Sequence, residues 1–451
     1  MKRIMFASLA ALLLALPGIC PAAPAKDLRK VEIRKPVELN VRGGLPNFYQ
    51  KLESGKPVKI AYFGGSITAQ NGWRPQSLDY FRKLYPNNKI DQIHAAIGGT
   101  GSELGAFRLE QDVLRHKPDL VFVEFAVNDS GSGPYHIRKS MEGIVRHIRR
   151  TLPLTDICFI YTLTARDIKD LQAGKAKRST STMEEIADFY QIPSVNFGPE
   201  VARLEKEGKL VMKTSDKGVT KVSGKELNLD SDINVTKDGK IPFSYDGVHP
   251  YQNTGHVIYT GVLKRSLPLI AKAGKPGPYR LGAPMVKDNY EYATMVSPDH
   301  PGIRLSGPVE KLPKTKAPAN LFQNRTPGGI CLKLSPGAEL EFKFKGSKVN
   351  LYDLLGPGCG TLEITVDNGK PRKQKRVDPY CTYYRLARTF VFENANTNAV
   401  HTVRIKVLDE PIDKRAILFE RNRAFYDKNT EKYKPLDAYI GAIQIVGEIV
   451  K

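Results

Sequence analysis

Hydrophobic and polar positions divide the chain into two textures. In the first, apolar runs of strand length alternate with stretches of helical period. Residues 58–63 (Val-Lys-Ile-Ala-Tyr-Phe) form a mostly apolar run suited to the interior of a parallel sheet. Before it, residues 31–41 predict a strand and 45–52 a short helix. After it, Leu78, Phe81, Leu84 and Tyr85 recur at helical spacing and predict a helix over 75–85. Residues 89–96 read as the second strand and 103–116 as the second helix. Residues 119–125 read as a third strand, apolar but for Glu124. Ile137, Met141, Ile144, Val145 and Ile148 mark a third helix by their period. Strands over 157–163 and 192–197 follow, with helices over 182–190 and 251–269. This alternation predicts a parallel sheet with helices on both faces and right-handed crossovers. The expected unit is a three-layer α/β/α domain over residues 26–272. Residues 206–240 interrupt it with a polar excursion rich in lysine, glycine and aspartate, read as a solvated surface loop or a hairpin near the site.

The second texture starts later. Residues 273–318 are dense in proline and glycine and read as a linker wrapped against a domain. From Ala319 the pattern alternates. Residues 338–345, 361–367 and 402–408 are apolar at every second position, and turns such as Asp367-Asn-Gly369 separate such runs. Short alternating strands at regular spacing predict an antiparallel β-sandwich over 319–451.

Length agrees with two domains, since 451 residues exceed one compact core. Hydrophobic content of 41% supplies enough apolar surface for both. The N-terminus reads as an export signal over residues 1–25. Met1-Lys-Arg3 is charged, residues 4–16 are nearly all apolar, and Ala23-Pro-Ala25 fits a small-x-small cleavage site. The apolar run is too short for a membrane span, and no later stretch reads as transmembrane. A lipoprotein anchor at Cys20 fits poorly, because Pro-Gly-Ile precedes it. The expected location is periplasmic or secreted. Cys158, Cys331, Cys359 and Cys381 remain in the mature chain, either as buried thiols or with a Cys359–Cys381 bridge. Neither Cys-x-x-Cys nor His-Glu-x-x-His spacing occurs, so the sequence supports no metal site. A formal net charge of +22 predicts attraction to polyanions such as acidic glycans. The lysines are spread along the chain, which favours a solvated basic surface. No RNA-binding or helix-turn-helix pattern is visible, and export weighs against a nucleic-acid partner.

Candidate chemistry sits where strands end. The first three strands run into Gly64-Gly-Ser66, Ile97-Gly-Gly-Thr-Gly-Ser102 and Ala126-Val-Asn-Asp129. In a parallel sheet these loops share one edge, where open α/β sheets bind ligands. Asp246-Gly-Val-His-Pro250 precedes the closing helix. A serine hydroxyl needs a base to take its proton, and His249 can do so. A carboxylate on the other ring nitrogen holds the imidazole in one tautomer, and Asp246 is within reach. The backbone N–H groups of Ser66 and Gly99 and the side-chain amide of Asn128 are candidate donors to an oxyanion, each worth about 3 kcal/mol.

These four blocks, in this order, resemble the SGNH (GDSL-type) hydrolase superfamily over roughly residues 56–270. Ser66 falls at its nucleophile, Gly99 and Asn128 at its oxyanion glycine and asparagine, and Asp246 and His249 at its Asp-x-x-His pair. Two positions depart from the pattern: Gly65 replaces the usual aspartate before the serine, and Ala126 the usual glycine before the asparagine. The resemblance implies cleavage of carboxylic esters without a cofactor. An exported member fused to a β-sandwich resembles bacterial carbohydrate esterases with jelly-roll accessory domains. The expected substrate is an acetylated, possibly acidic, poly- or oligosaccharide, with Trp73 as a sugar-stacking platform or an anchor of its helix, and Arg74 as a holder of an acidic sugar or a solvated side chain. Tyr380, Tyr383 and Tyr384 are expected to fill the sandwich core rather than contact glycan. Alternatives are transfer of acetyl between sugars by the same residues, and a glycan-binding protein with little turnover.

Overall fold

The computed structural model describes residues 27–227, 229, 232–394 and 398–450. The export segment read over residues 1–25, with Cys20, lies outside them.

The first half builds a six-stranded sheet from β1 (Leu39–Asn40), β2 (Val58–Gly64), β3 (Ile90–His94), β4 (Leu120–Glu124), β5 (Asp156–Tyr161) and β6 (Ser194–Asn196). Its order is β1-β6-β5-β4-β2-β3, parallel throughout except for β1 against β6. Of the stretch 31–41 read as a strand, only β1 pairs. Helices α1 (Pro46–Glu53), α2 (Ser66–Ala69), α3 (Trp73–Leu84), α4 (Ser102–Asp112) and α5 (Pro134–Thr151) follow in order. Alternate strand residues face opposite layers, as a period of two requires. Ala61, Phe63, Val121, Val123, Ile157 and Phe159 pack on α4, α5 and the helix Arg178–Tyr190. Ile60, Tyr62, Leu120, Phe122, Cys158 and Ile160 pack on α1, α3 and the helix Gly255–Ile270. The near-continuous apolar runs follow from burial of both faces. The chain steps from β2 to β3 on one side and to β4 on the other. The loops after β2 and β4 therefore flank the point where strand order reverses, the usual place for a ligand crevice in open α/β sheets.

The polar excursion is more ordered than its composition suggests. Leu210–Lys213 pairs parallel with Ile241–Ser244, and Thr220–Val222 pairs antiparallel with Ile233–Val235. Leu227, Leu229, Ile233 and Val235 reach the domain core.

The C-terminal half is a ten-stranded, antiparallel sheet. It begins earlier than its sequence texture indicates. Ala293–Val296, Ile303–Ser306 and Val309–Pro313 all pair into it, so part of the stretch 273–318 read as a linker lies in the sheet. Prolines and glycines crowd around these short strands and mask their period. The long strand Glu339–Leu355 pairs with Ala438–Val450, with Val400–Leu408 along its first part and with Arg385–Glu393 along its second. Its burial alternates up to Lys345 and is then continuous to Leu354. One face of that second part packs in the sandwich core with Leu340, Phe342 and Ile405. The other, carrying Tyr352 and Leu354, shares a core with Phe107 and Met141 of the α/β domain. The four described cysteines are buried and free, so Cys359 and Cys381 are not bridged. Tyr380 and Tyr383 are 48% and 58% exposed, outside the core expected for them, because residues 376–384 form a connection at the sheet end; Tyr384 alone is half-buried.

Candidate active site

The site begins with two glycines that neighbouring side chains require. A Cβ at Gly64 would fall 2.7 Å from the Glu124 carbonyl and 2.8 Å from Thr68 Oγ1. A Cβ at Gly65 would fall 2.0 Å from Asn128 Oδ1. Only bare backbone fits at these positions. The chain passes from β2 straight into α2, whose first residue is Ser66, half-buried at the carboxyl edge of the sheet.

His249 and Asp246 lie between the strand Ile241–Ser244 and the helix Gly255–Ile270. Gly247 takes a left-handed turn (φ 82°), which L side chains rarely adopt. Its N–H donates to Ser244 Oγ at 2.8 Å and its carbonyl accepts from Ala165 N–H at 2.7 Å. Asp246 Oδ1 then accepts the backbone N–H groups of Val248 and His249, at 2.9 and 2.8 Å. Asp246 Oδ2 lies 2.7 Å from His249 Nδ1, and His249 Nε2 lies 2.8 Å from Ser66 Oγ. Partial burial alone would raise the Asp246 carboxyl. The donors from His249 and Val248 outweigh it and hold the group at about 2. An ionised Asp246 can only accept, so Nδ1 carries the imidazole proton and Nε2 is free to accept from the serine hydroxyl.

The other loops close on the same point. Gly98 approaches Ser66 so closely that a Cβ there would lie 3.6 Å from the serine Cβ. Gly99 beside it has φ 71° and is exposed. Asn128 opens the turn Asn128–Gly131 after β4, with its amide against Gly65. Asp129 braces the neighbouring loop. Its Oδ1 accepts from Ser102 N–H at 3.0 Å, at the start of α4. Burial pushes its carboxyl up to about 6. Ser66, Gly99, Asn128, Asp246 and His249 thus stand on one rim.

Residues 62–218 match the model of the GDSL-like lipase/acylhydrolase family. Over this stretch the α/β domain is similar to that family. The match supports a hydrolase of carboxylic esters. The match ends before Asp246 and His249, whose place rests on the geometry above. Among solved structures, the chain is similar to a two-domain esterase (CEX) active on acetylated mannans, co-crystallized with mannopentaose. The identity is 18%, the match covers 91% of this chain and 97% of that chain, and the TM-score is 0.65. A second structure of a two-domain esterase active on acetylated mannans matches at 18% identity, 90% and 97% coverage and a TM-score of 0.65. At this identity the likeness establishes the two-domain fold. The search of curated proteins returned no match.

Two residues proposed for substrate contact lie inside the α/β domain. Trp73 is 0% exposed and packs edge-on against Tyr62, Phe122 and Phe197. Its backbone N–H donates to His256 Nδ1 at 3.2 Å, which anchors the start of α3. Arg74 is 5% exposed and donates to the Thr68 carbonyl at 3.1 Å and to Gln92 Oε1 at 2.6 Å. Neither can meet a sugar. Gly72 explains both. It fits flat against the His256 ring, where a Cβ would come within 2.1 Å, and so turns the following residues inward. The residue that sequence reasoning passed over is Glu124, at the end of β4 and under the serine turn. A lone charge in an apolar strand was its only signal. Tyr245, immediately before Asp246, is exposed. Among the described residues, no group of three or more His, Cys, Asp or Glu side chains is arranged to hold a metal ion. No helix among them is long and apolar enough to cross a membrane.

Proposed function

We propose that this protein is an exported serine esterase that removes O-acetyl groups from a poly- or oligosaccharide. One observation carries the mechanism: the unbroken line Ser66 Oγ, His249 Nε2, His249 Nδ1, Asp246 Oδ2, with spacings of 2.8 and 2.7 Å. Ser66 Oγ attacks the acetyl carbonyl carbon while His249 Nε2 takes the hydroxyl proton. The imidazolium that forms is stabilised by Asp246, already ionised. The Ser66 N–H, the Gly99 N–H and the Asn128 amide receive the developing oxyanion. His249 then returns its proton to the sugar oxygen, the C–O bond breaks, and an acetyl-enzyme remains on Ser66. Water, deprotonated by the same nitrogen, releases acetate and restores the serine. Every step uses backbone and side-chain groups of this chain and water.

The substrate class is supported by the two-domain layout shared with an esterase that acts on acetylated mannans. It also agrees with a triad whose histidine and aspartate stay open to solvent, an arrangement suited to a bulky, hydrophilic chain. Export is supported by the charged start, apolar run and small-x-small site within residues 1–25. The test is acetate release from a panel of acetylated glycans and from a chromogenic acetate ester, with Ser66→Ala alongside. The variant is expected to lose about 1000-fold or more in kcat. Unchanged turnover would end the assignment. Acetyl transfer to added acceptor sugar that outruns acetate release would recast the enzyme as a transferase.

A further inference from the structure

Glu124 is a charged residue at the end of a strand buried on both faces, and it is 1% exposed. Its carboxyl lies beneath the serine turn. Oε2 accepts the hydroxyl of Thr68 at 2.8 Å, and Oε1 accepts the hydroxyl of Thr162 at 2.8 Å. The backbone N–H of Gly65 donates to the same carboxyl. Gly64 lies so close that a Cβ there would be 3.1 Å from Oε2. The carboxyl thus grips the chain on both sides of Ser66, at residue 65 and at residue 68. Gly65 has no side chain with which to hold its own turn.

We propose that Glu124 is a positioning residue for the nucleophile: its carboxylate, by collecting these donors, fixes the turn so that Ser66 Oγ stands in line with His249. The inference rests on the reading of Ser66 as the nucleophile. All three partners donate, and an ionised carboxylate can only accept, so the charged form fits the site fully. A neutral carboxyl carries a proton of its own. It must give that proton to one threonine and turn the hydroxyl away, which loosens one of the three contacts. The groups facing Glu124 from the packed elements are Thr68 of α2, Thr162 after β5, the Gly65 N–H, Tyr259 of the helix Gly255–Ile270, and Lys177 at longer range. Lys177 is paired with Asp167 at 2.7 Å and lends the charge only partial support. Burial dominates and pushes the carboxyl up to about 7. The turn is therefore fully held above neutrality and released below it.

The experiment compares wild type with Glu124→Gln, which keeps the shape and removes the charge. Above pH 8, kcat on an acetate ester is expected to fall about 10- to 100-fold with KM unchanged, as for an interaction made in the transition state. The ratio of wild-type to variant kcat should shrink towards one below about pH 6, where the wild-type side chain is itself neutral. Inactivation by a fluorophosphonate, which reads Ser66 directly, should slow by the same factor. A purely structural role would lower stability and leave kcat per folded molecule, and its pH profile, unmoved. A folded Glu124→Gln enzyme with wild-type kcat across the pH range overturns the proposal. If that variant does not fold, Thr68→Val removes one donor at little cost in shape, and it should lower kcat about 3- to 10-fold; an unchanged rate overturns the proposal equally. Wild-type enzyme that neither hydrolyses the ester nor reacts with the fluorophosphonate refutes the reading of Ser66 itself, a failure distinct from that of Glu124.

Discussion

Adding a single methyl group at Gly65 should cripple catalysis while sparing the fold. The backbone there (φ −92°, ψ −154°) is open to alanine, so Gly65→Ala brings no conformational strain. Its new Cβ would stand 2.0 Å from Asn128 Oδ1 and 2.9 Å from Asn128 Cγ. Ordinary contact requires about 3.5 Å, so the amide must retreat by more than an ångström. Asn128 is half-buried and near solvent, and a changed rotamer costs only about 1 kcal/mol. The donor that leaves the rim is worth far more, about 3–4 kcal/mol of transition-state stabilisation, or 100- to 1000-fold in kcat. The assay is steady-state kinetics on an acetate ester beside urea unfolding, for Gly65→Ala, Asn128→Ala and the double variant. Both single variants should lose similar kcat at unchanged KM, and the double variant should be no worse than the poorer single, because both remove one interaction. Gly65→Ala with near wild-type kcat, or losses that multiply in the double variant, would refute the reasoning.

Two further outcomes separate packing from chemistry. Trp73→Ala empties a fully buried site among Tyr62, Phe122 and Phe197 and should cost about 3–5 kcal/mol in denaturant unfolding, with KM of the folded fraction unchanged; a raised KM at full stability would return Trp73 to the substrate. Lys348 is buried between Glu103, at 2.7 Å, and Glu393, at 2.5 Å. Lys348→Met should therefore cost about 3–5 kcal/mol near pH 7 by leaving both carboxylates short of a partner. Burial opposes the charge of both groups, but their cationic partners prevail, holding Glu393 at about 2 and Glu103 well below its usual range. The stabilisation from these depressed carboxyls is complete above about pH 4.5 and lost as pH falls through about 2. The gap between wild-type and Lys348→Met thermal midpoints should therefore narrow in acid, and a constant gap would refute the linkage.

The carboxyl rim of the sheet was legible because its signals are local. A strand buried on both faces shows as an unbroken apolar run, and β2, β4 and β5 lie where such runs occur. Loops at the ends of parallel strands must share an edge, so Ser66, Gly99 and Asn128 could be gathered without coordinates. Asp246 and His249 bond to each other within four residues. What sequence hid depended on direction in space. Trp73 and Arg74 follow Ser66 closely along the chain, yet the contact between Gly72 and His256, 184 residues apart in the numbering, turns them inward. Glu124 stood out as a charge in an apolar strand, but its partners Thr68 and Thr162 lie 56 and 38 positions away. The strands inside 273–318 are too short to show a period among prolines, and the exposure of Tyr380 and Tyr383 depends on where the connection before Arg385–Glu393 turns.

The change from alternating to continuous burial along Glu339–Leu355 has a consequence for the site. Its first part is an ordinary sandwich strand with one face towards solvent. Its second part lies under the α/β domain and meets α4 and α5 in a shared core. At that junction Lys348 and Arg388 both pair with Glu103, in the first turn of α4. Ser102, the residue before it, is held by Asp129 and directly follows the loop that carries Gly99. A short chain of contacts therefore runs from the β half, through the start of α4, to a candidate oxyanion donor. Loops at sheet edges are ordinarily the loosest parts of an α/β domain. Here the loop after β3 runs into a helix start held by Asp129 at Ser102 and by charges of the second domain at Glu103. The second half of the chain is in this sense part of the scaffold of the rim that carries the candidate site.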